Sequence, residues 1–263
     1  DLVVPFGPDA ELSPSALVNL LAGQDRQDYL RRREFDISAW PLRRRDSFVG
    51  VRFFSRRDAA EISRTDYSLI RAQGRPIEAG NPAADAGAMR GVEASGGLTL
   101  RGNLLSLRTR VGLAGGALRG DFDWNWQAAE IEVRPVFPDG GVLSLRVSGM
   151  TTGGKPPLQD AAYLGGDANL RGYDRLQFAG RRSVALRAEY ALGVDLFART
   201  RIPWVRSFHL QFIPFVDAGS TWGATPGPSG AASLGGEVRS SAGLGLKRDL
   251  WFPGAEAIRL DIV

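Results

Sequence analysis

From Arg32 onward the sequence repeatedly alternates with a period of two, and few folds tolerate that pattern over so much of a chain. Phe35, Ile37 and Ala39 interleave with Glu34, Asp36 and Ser38. Successive side chains of a β-strand point to opposite faces, so each such run is a strand with one apolar and one polar face. The split recurs in Leu105, Leu107, Val111 and Leu113 against Ser106, Arg108 and Arg110, and in Leu143, Leu145 and Val147 against Ser144, Arg146 and Ser148. It returns in Val184, Leu186, Ala188 and Tyr190 against Ser183, Arg187 and Glu189. Phe212, Pro214 and Val216 then oppose Gln211 and Asp217, and Ala242, Leu244 and Leu246 oppose Ser241, Gly243 and Lys247. Ile258, Leu260 and Ile262 against Arg259 and Asp261 complete the series, giving about ten or eleven strands. The class is all-β.

Some segments read less regularly. Pro41 to Asp46 reads as a turn, with Val49, Val51 and Phe53 restarting the alternation as a hairpin. Gly96-Gly97 interrupts a weak strand over 89–101 and marks a bend or a turn. The segment 121–136 switches parity, from Phe122, Trp124 and Trp126 to Ala129, Ile131 and Val133, which implies a bulge or a boundary between environments. Its aromatics fit either a membrane-interface girdle or core packing. Residues 1–31 read as irregular, with a strand tail over 1–6 and a short helix over 13–21 behind a capping serine. A long polar loop is expected over 57–87.

The alternation has two physical solutions. In a soluble sandwich the apolar face is the core and the charged face meets water. In a membrane barrel the apolar face meets lipid and the charged face lines the interior. Periodicity does not separate them, but strand length does. About 9–11 residues span a bilayer, whereas a soluble strand averages about 5–6. Several runs here reach ten or more residues and long polar loops alternate with short turns, which favours a transmembrane antiparallel barrel occupying residues 1–263 as one domain.

Other chemistry finds little support. The net charge of +4 comes with arginines spread along strands rather than gathered with exposed aromatics, so nucleic-acid binding is not expected. With no cysteine there is no disulfide framework, and no His/Cys/carboxylate cluster suits a metal. The single histidine, His209, lies on one strand face with Ser207 and Asp217, where side chains point in parallel and do not converge as a triad. Neither a catalytic residue nor a cofactor is expected.

One stretch departs from all strand logic: Gly165-Gly166-Asp167-Ala168-Asn169-Leu170-Arg171-Gly172-Tyr173. Three glycines permit a tight fold-back, and one cation and one aromatic stand at its tip. Tyr163 leads into it, and three further pieces follow in order: Ala188-Glu189-Tyr190, then Phe215-Val216-Asp217-Ala218-Gly219 with Thr221-Trp222, then 241–246. Together these resemble the BamA/TamA-like superfamily of outer-membrane assembly and translocation barrels. The resemblance implies that the loop over 152–181 folds inward. Gly165, Gly166, Leu170, Arg171, Gly172 and Tyr173 would carry its motif, and Phe215 and Gly219 the strand motif. Arg171 would meet Glu189 and Asp217, both on the polar side of their strands, because a planar guanidinium can bridge carboxylates.

The resemblance further implies about sixteen strands when complete, of which this chain covers most while lacking terminal strands and any periplasmic domain. It implies an integral outer-membrane location and contact with outer-membrane lipids. The expected action is non-enzymatic: insertion or translocation of β-barrel or secreted client polypeptides, with accessory assembly proteins as further partners. The alternative is a barrel serving as anchor or exit pore for a separate effector domain, such as a lipolytic one.

Overall fold

A computed structural model describes residues 2–5, 29–60, 84–102, 104–193, 210–223, 233–249 and 257–263. Eleven strands form one antiparallel sheet in which neighbours in sequence are neighbours in space. They are β1 (Leu2–Pro5), β2 (Tyr29–Arg43), β3 (Ser47–Ala60), β4 (Gly87–Leu100), β5 (Leu105–Ala114), β6 (Trp124–Val133), β7 (Val142–Gly154), β10 (Arg182–Ala191), β11 (Leu210–Trp222), β12 (Arg239–Asp249) and β13 (Ala257–Ile262). Between β7 and β10 the chain makes a separate two-stranded pair, β8 (Ala162–Leu164) with β9 (Phe178–Gly180). Two short 3-10 turns, 116–118 and 158–160, are the helical content among the described residues. The expected helix over 13–21 and the candidate triad members Ser207 and His209 lie outside the described residues.

The two faces of the sheet are inverted relative to a soluble core. Phe35 is 68% exposed and Val216 51% exposed, while Asp217 is 0% exposed. Ile37, Phe53, Leu113, Ile131, Val147 and Leu186 join Phe35 and Val216 on the uncovered apolar face. The polar face is concave. In a flat sheet β3 and β6, three strands apart, would be separated by about 14 Å, yet the rings of Phe54 and Trp126 approach to 6.1 Å between centroids.

Glycines on this inner face make the curvature possible. Phe48 lies opposite Gly97, Phe54 opposite Gly91, Trp126 opposite Gly112, and Phe215 opposite Gly243. In each pair the ring covers its neighbour's bare Cα; a Cβ on Gly112 would sit 2.1 Å from Trp126 Cζ2, and one on Gly97 2.2 Å from Phe48 Cε1. A ring over a strand glycine fills the space that a missing side chain leaves in the pleat.

The strand bounds and pairing correct four sequence expectations. Gly96-Gly97 is neither bend nor turn: β4 runs through it in unbroken pairing with β3 and β5. Pro41 and Leu42 belong to β2, which passes a bulge between Ala39 and Leu42 and ends at Arg43, so the turn shrinks to 44–46. The segment 124–133 carries no bulge, since β6 pairs residue for residue with β5 and β7. Trp124 and Trp126 are therefore on the same inner face as Glu130 and Glu132, and they form no outer girdle. They are buried in a cluster with Phe54, Met89 and Ala114. The parity switch in sequence is a change of inner-face composition along one strand, from an apolar plug to a charged wall where Glu132 accepts hydrogen bonds from Ser144 and Arg146. Finally, β7 continues to Gly154, so the inward loop begins at Lys155 rather than at residue 152.

Candidate functional site

The connection from β7 to β10 turns back into the concave face instead of standing off the sheet. Glycine makes its tip possible at two positions in particular. Gly165 has φ +117°, and a Cβ there would lie 2.1 Å from the carbonyl oxygen of Asp174. Gly172 has φ +83°, and its Cβ would lie 2.6 Å from Val263 Cγ1. Both backbone conformations are ones that L side chains avoid, and both sites are closed by neighbours. Gly166 opens a tight turn, accepting from the Leu170 N–H at 3.1 Å and donating to the Tyr173 carbonyl at 3.1 Å. Asn169 braces it: its Oδ1 accepts from the Gly165 N–H at 2.9 Å, and its Nδ2 donates to the Tyr163 carbonyl at 3.3 Å.

Leu170 is fully buried with Leu164, Phe178, Ala185 and Leu234, and this apolar contact seats the tip. Gly219 leaves room for it, because a Cβ there would lie 2.9 Å from Leu164 Cδ1. Tyr173 packs edge-on to Phe178 at 5.3 Å and donates its hydroxyl to the Ser240 carbonyl at 3.1 Å.

Arg171, 1% exposed, is among the largest fully buried side chains in the described structure. Its Nε and Nη2 each donate at 2.6 Å to the two oxygens of Asp217, and its own backbone N–H donates to Asp217 Oδ2 at 3.1 Å. Its Nη1 lies 2.6 Å from Glu189 Oε1 and 3.2 Å from Asp261 Oδ2. The guanidinium carbon is 3.5 Å from the centroid of the Phe215 ring. Side chains from β10, β11 and β13 thus converge on one loop cation.

A buried guanidinium is costly without partners, so the number and geometry of these contacts decide the sign. The two-point fork on Asp217 is the strong form of the interaction, and the ring face below adds a cation–π contact. Burial acts to lower the Arg171 pKa, but the bonds and charges of Asp217, Glu189 and Asp261 outweigh it and raise the pKa above its ordinary value. Two of the carboxylates also face Arg187, whose Nη2 lies 3.2 Å from Glu189 Oε1 and whose Nε lies 3.7 Å from Asp217 Oδ1. Arg187 also donates through Nη1 to the Asp167 and Ala168 carbonyls at 2.9 and 2.6 Å, holding the loop backbone from below.

The structure therefore brings Arg171 together with Glu189 and Asp217, the two acids that the resemblance implies, and it places Asp261, Phe215 and Arg187 in the same cluster. Asp261 was legible as a polar-side residue, but nothing in the alternation says that β13 curls back to the loop. In sequence Phe215 belongs to the strand motif, and its role as a platform for the cation follows from its inner-face position. In sequence Arg187 is one more polar-face residue of its strand. Among the described residues no group of three or more His, Cys, Asp or Glu could hold a metal ion.

Among solved structures, the fold resembles BamA from Haemophilus ducreyi lacking POTRA domains 1–3, with a TM-score of 0.55 and 14% identity over 89% of this chain and 52% of that one. It also resembles CdiB from Acinetobacter baumannii, with a TM-score of 0.50 and 14% identity over 90% of this chain and 39% of that one. The chain thus spans about half the length of that BamA chain or less than half of CdiB. At this identity the likeness is one of fold. Compared by sequence with curated proteins, the chain has no match. The model of the Omp85 superfamily domain matches residues 100–252, more than half of the chain, in accord with the resemblance read from the four motif pieces. The chain belongs to the Omp85 superfamily.

Proposed function

We propose that this sheet is the larger part of a transmembrane β-barrel in the bacterial outer membrane, and that it inserts or translocates other polypeptides. The observation that carries the reading is the inverted sheet together with its docked loop. The apolar face is uncovered, as lipid contact requires, and the polar face holds a buried arginine on three strands. β2, β3 and β4 contain 15, 14 and 14 residues, ample for the roughly 9–11 that a tilted strand needs to cross a bilayer.

In this reading the protein's action is mechanical and not catalytic. The loop fills and stiffens the interior near β10 and β11, while a weak seam between the first and last strands of the complete barrel opens sideways. The seam's free N–H and C=O groups template an incoming strand of a client barrel or pass a secreted chain. Membrane lipid, the client and accessory assembly proteins are its partners.

The test uses the full-length protein in liposomes supplied with an unfolded outer-membrane barrel as client. Folding of the client is followed by its heat-modifiable gel migration. Wild-type liposomes should accelerate client folding, and Arg171→Ala liposomes should do so markedly less at equal protein content. Equal acceleration by the two would overturn the reading.

A further inference from the structure

A second cluster of charged groups, half-buried around a buried Asp58, lies on the inner face, away from Arg171. Arg32 on β2 forks onto Asp58 on β3, with Nε to Oδ1 at 2.8 Å and Nη2 to Oδ2 at 2.9 Å. Arg56 on β3 places Nε 3.4 Å from Asp58 Oδ2 and pairs through Nη2 with Asp160. Asp160 and its neighbour Gln159 belong to the 3-10 turn at the start of the inward loop. Gln159 is buried; its Nε2 donates to Asp58 Oδ2 at 3.2 Å and to the Asp85 carbonyl at 3.1 Å, and its Oε1 accepts from the Asp85 N–H at 3.0 Å. Asp85, just before β4, accepts from the Leu158 N–H at 2.9 Å. Beside this network Ala161, Tyr163 and Ala179 of the loop pack on Leu30 of β2, all four buried.

The loop is therefore fixed twice. Its early residues are held by β2 and β3, and its tip by β10, β11 and β13. In strand order β3 and β10 are separated by β4 to β7, which in a flat sheet would put them about 24 Å apart. The chain from Asp160 to Arg171 has a reach of about 36 Å when extended, so one loop can join the two walls across the concavity. Asp58 and Arg56 each reach a loop side chain, Gln159 and Asp160, and Arg32 is tied to the loop through Asp58, so the anchor is a connected polar network, although Arg56 Nε makes no hydrogen bond in it.

We propose that the loop is a strap with two anchors, and that Arg32, Arg56 and Asp58 form a docking site for Gln159 and Asp160 that sets the distance between the β2–β3 wall and the β10–β11 wall. The strap rests on the barrel architecture and not on the identity of any client. Because a strap cut at either end is slack, the two anchors are coupled: releasing one removes most of what the other contributes to wall spacing.

These 263 residues contain no cysteine, so spin labels can be placed singly within them. Phe53→Cys on β3 and Val216→Cys on β11 put labels on the uncovered face of each wall, and pulsed dipolar spectroscopy in nanodiscs reads the distance between them. Asp58→Asn should broaden that distance distribution by several ångströms, Arg171→Ala should do the same, and the two together should add little more. A label pair within one wall, Leu186→Cys with Val216→Cys, should not change. Should Asp58→Asn fail to fold, Gln159→Ala cuts the same anchor from the loop side and carries the same expectation. An unchanged distribution in the early-anchor variant, or broadening that simply adds when both anchors are cut, overturns the strap. The measurement is made without client, so its failure leaves the proposed transport or insertion activity standing, and failure of that activity leaves the strap standing.

Discussion

Arg171 gives three hydrogen bonds to a single residue, Asp217: two from the guanidinium at 2.6 Å and one from its backbone N–H at 3.1 Å. Asp217 is therefore both the counter-charge of the cation and the acceptor that fixes the loop backbone. Asp217→Asn keeps the shape but removes the charge. Its expected cost is ~3–5 kcal/mol, the usual penalty for leaving one member of a buried ion pair uncompensated. Urea titration in detergent micelles, read by heat-modifiable migration, measures it.

Glu189 and Asp261 face the same cation from more exposed positions, at 20% and 22% side-chain exposure. Solvent screens such pairs, so Glu189→Gln and Asp261→Asn should each cost about 1 kcal/mol or less. The order Asp217 ahead of Glu189 and Asp261 is the expected outcome of the same titration series.

Gly172 has a left-handed backbone, and a Cβ there would run into Val263 and crowd Ser241. Gly172→Ala should cost at least ~1–2 kcal/mol from the backbone conformation alone. It should loosen the tip, read as faster protease cleavage within 165–177 than in the wild type, while the strands stay protected.

The uncovered apolar face makes an opposite kind of prediction. Leu186→Arg and Ile131→Arg place a charge where the reading has lipid, and should disfavour insertion into bilayers by ~2–4 kcal/mol near the midplane. In a soluble sheet the same changes at exposed positions would be nearly neutral. Partition of refolded protein between liposomes and the aqueous phase separates the two.

The inner-face ring over Gly112 gives a packing test. Gly112→Val forces Trp126 from its seat, since even a Cβ would lie 2.1 Å from the ring. Loss of the blue-shifted tryptophan emission expected of buried Trp124 and Trp126 would report it, with a cost of ~1–3 kcal/mol for overpacking.

The alternating pattern was enough to find β2, β5, β7, β10, β11 and β12 and to put Asp217, Glu189 and Arg187 on one face, because parity along a strand is local. It misled wherever the inner face changes character. Trp124 and Trp126 look like a register break only if the inner face is assumed polar throughout, and Gly97 looks like a break only if Phe48 opposite it is ignored. Contacts across the concavity are not local at all. Arg56 with Asp160, and Arg171 with Asp261, depend on how strongly the sheet curls, which no single strand encodes. The loop was legible as a motif, but its first anchor was not, because Gln159 and Asp160 stand in a stretch with neither periodicity nor glycine punctuation.

The contact from Arg171 to Asp261 closes a span of 90 residues, and that to Asp217 a span of 46. Such distant contacts form late, because chain entropy opposes them until the intervening hairpins exist. The loop tip therefore completes its seat only when β13 has reached its place beside β12. Full pairing of Arg171 thus reports that β13 is in place beside β12: with that strand unpaired the cation would lack Asp261.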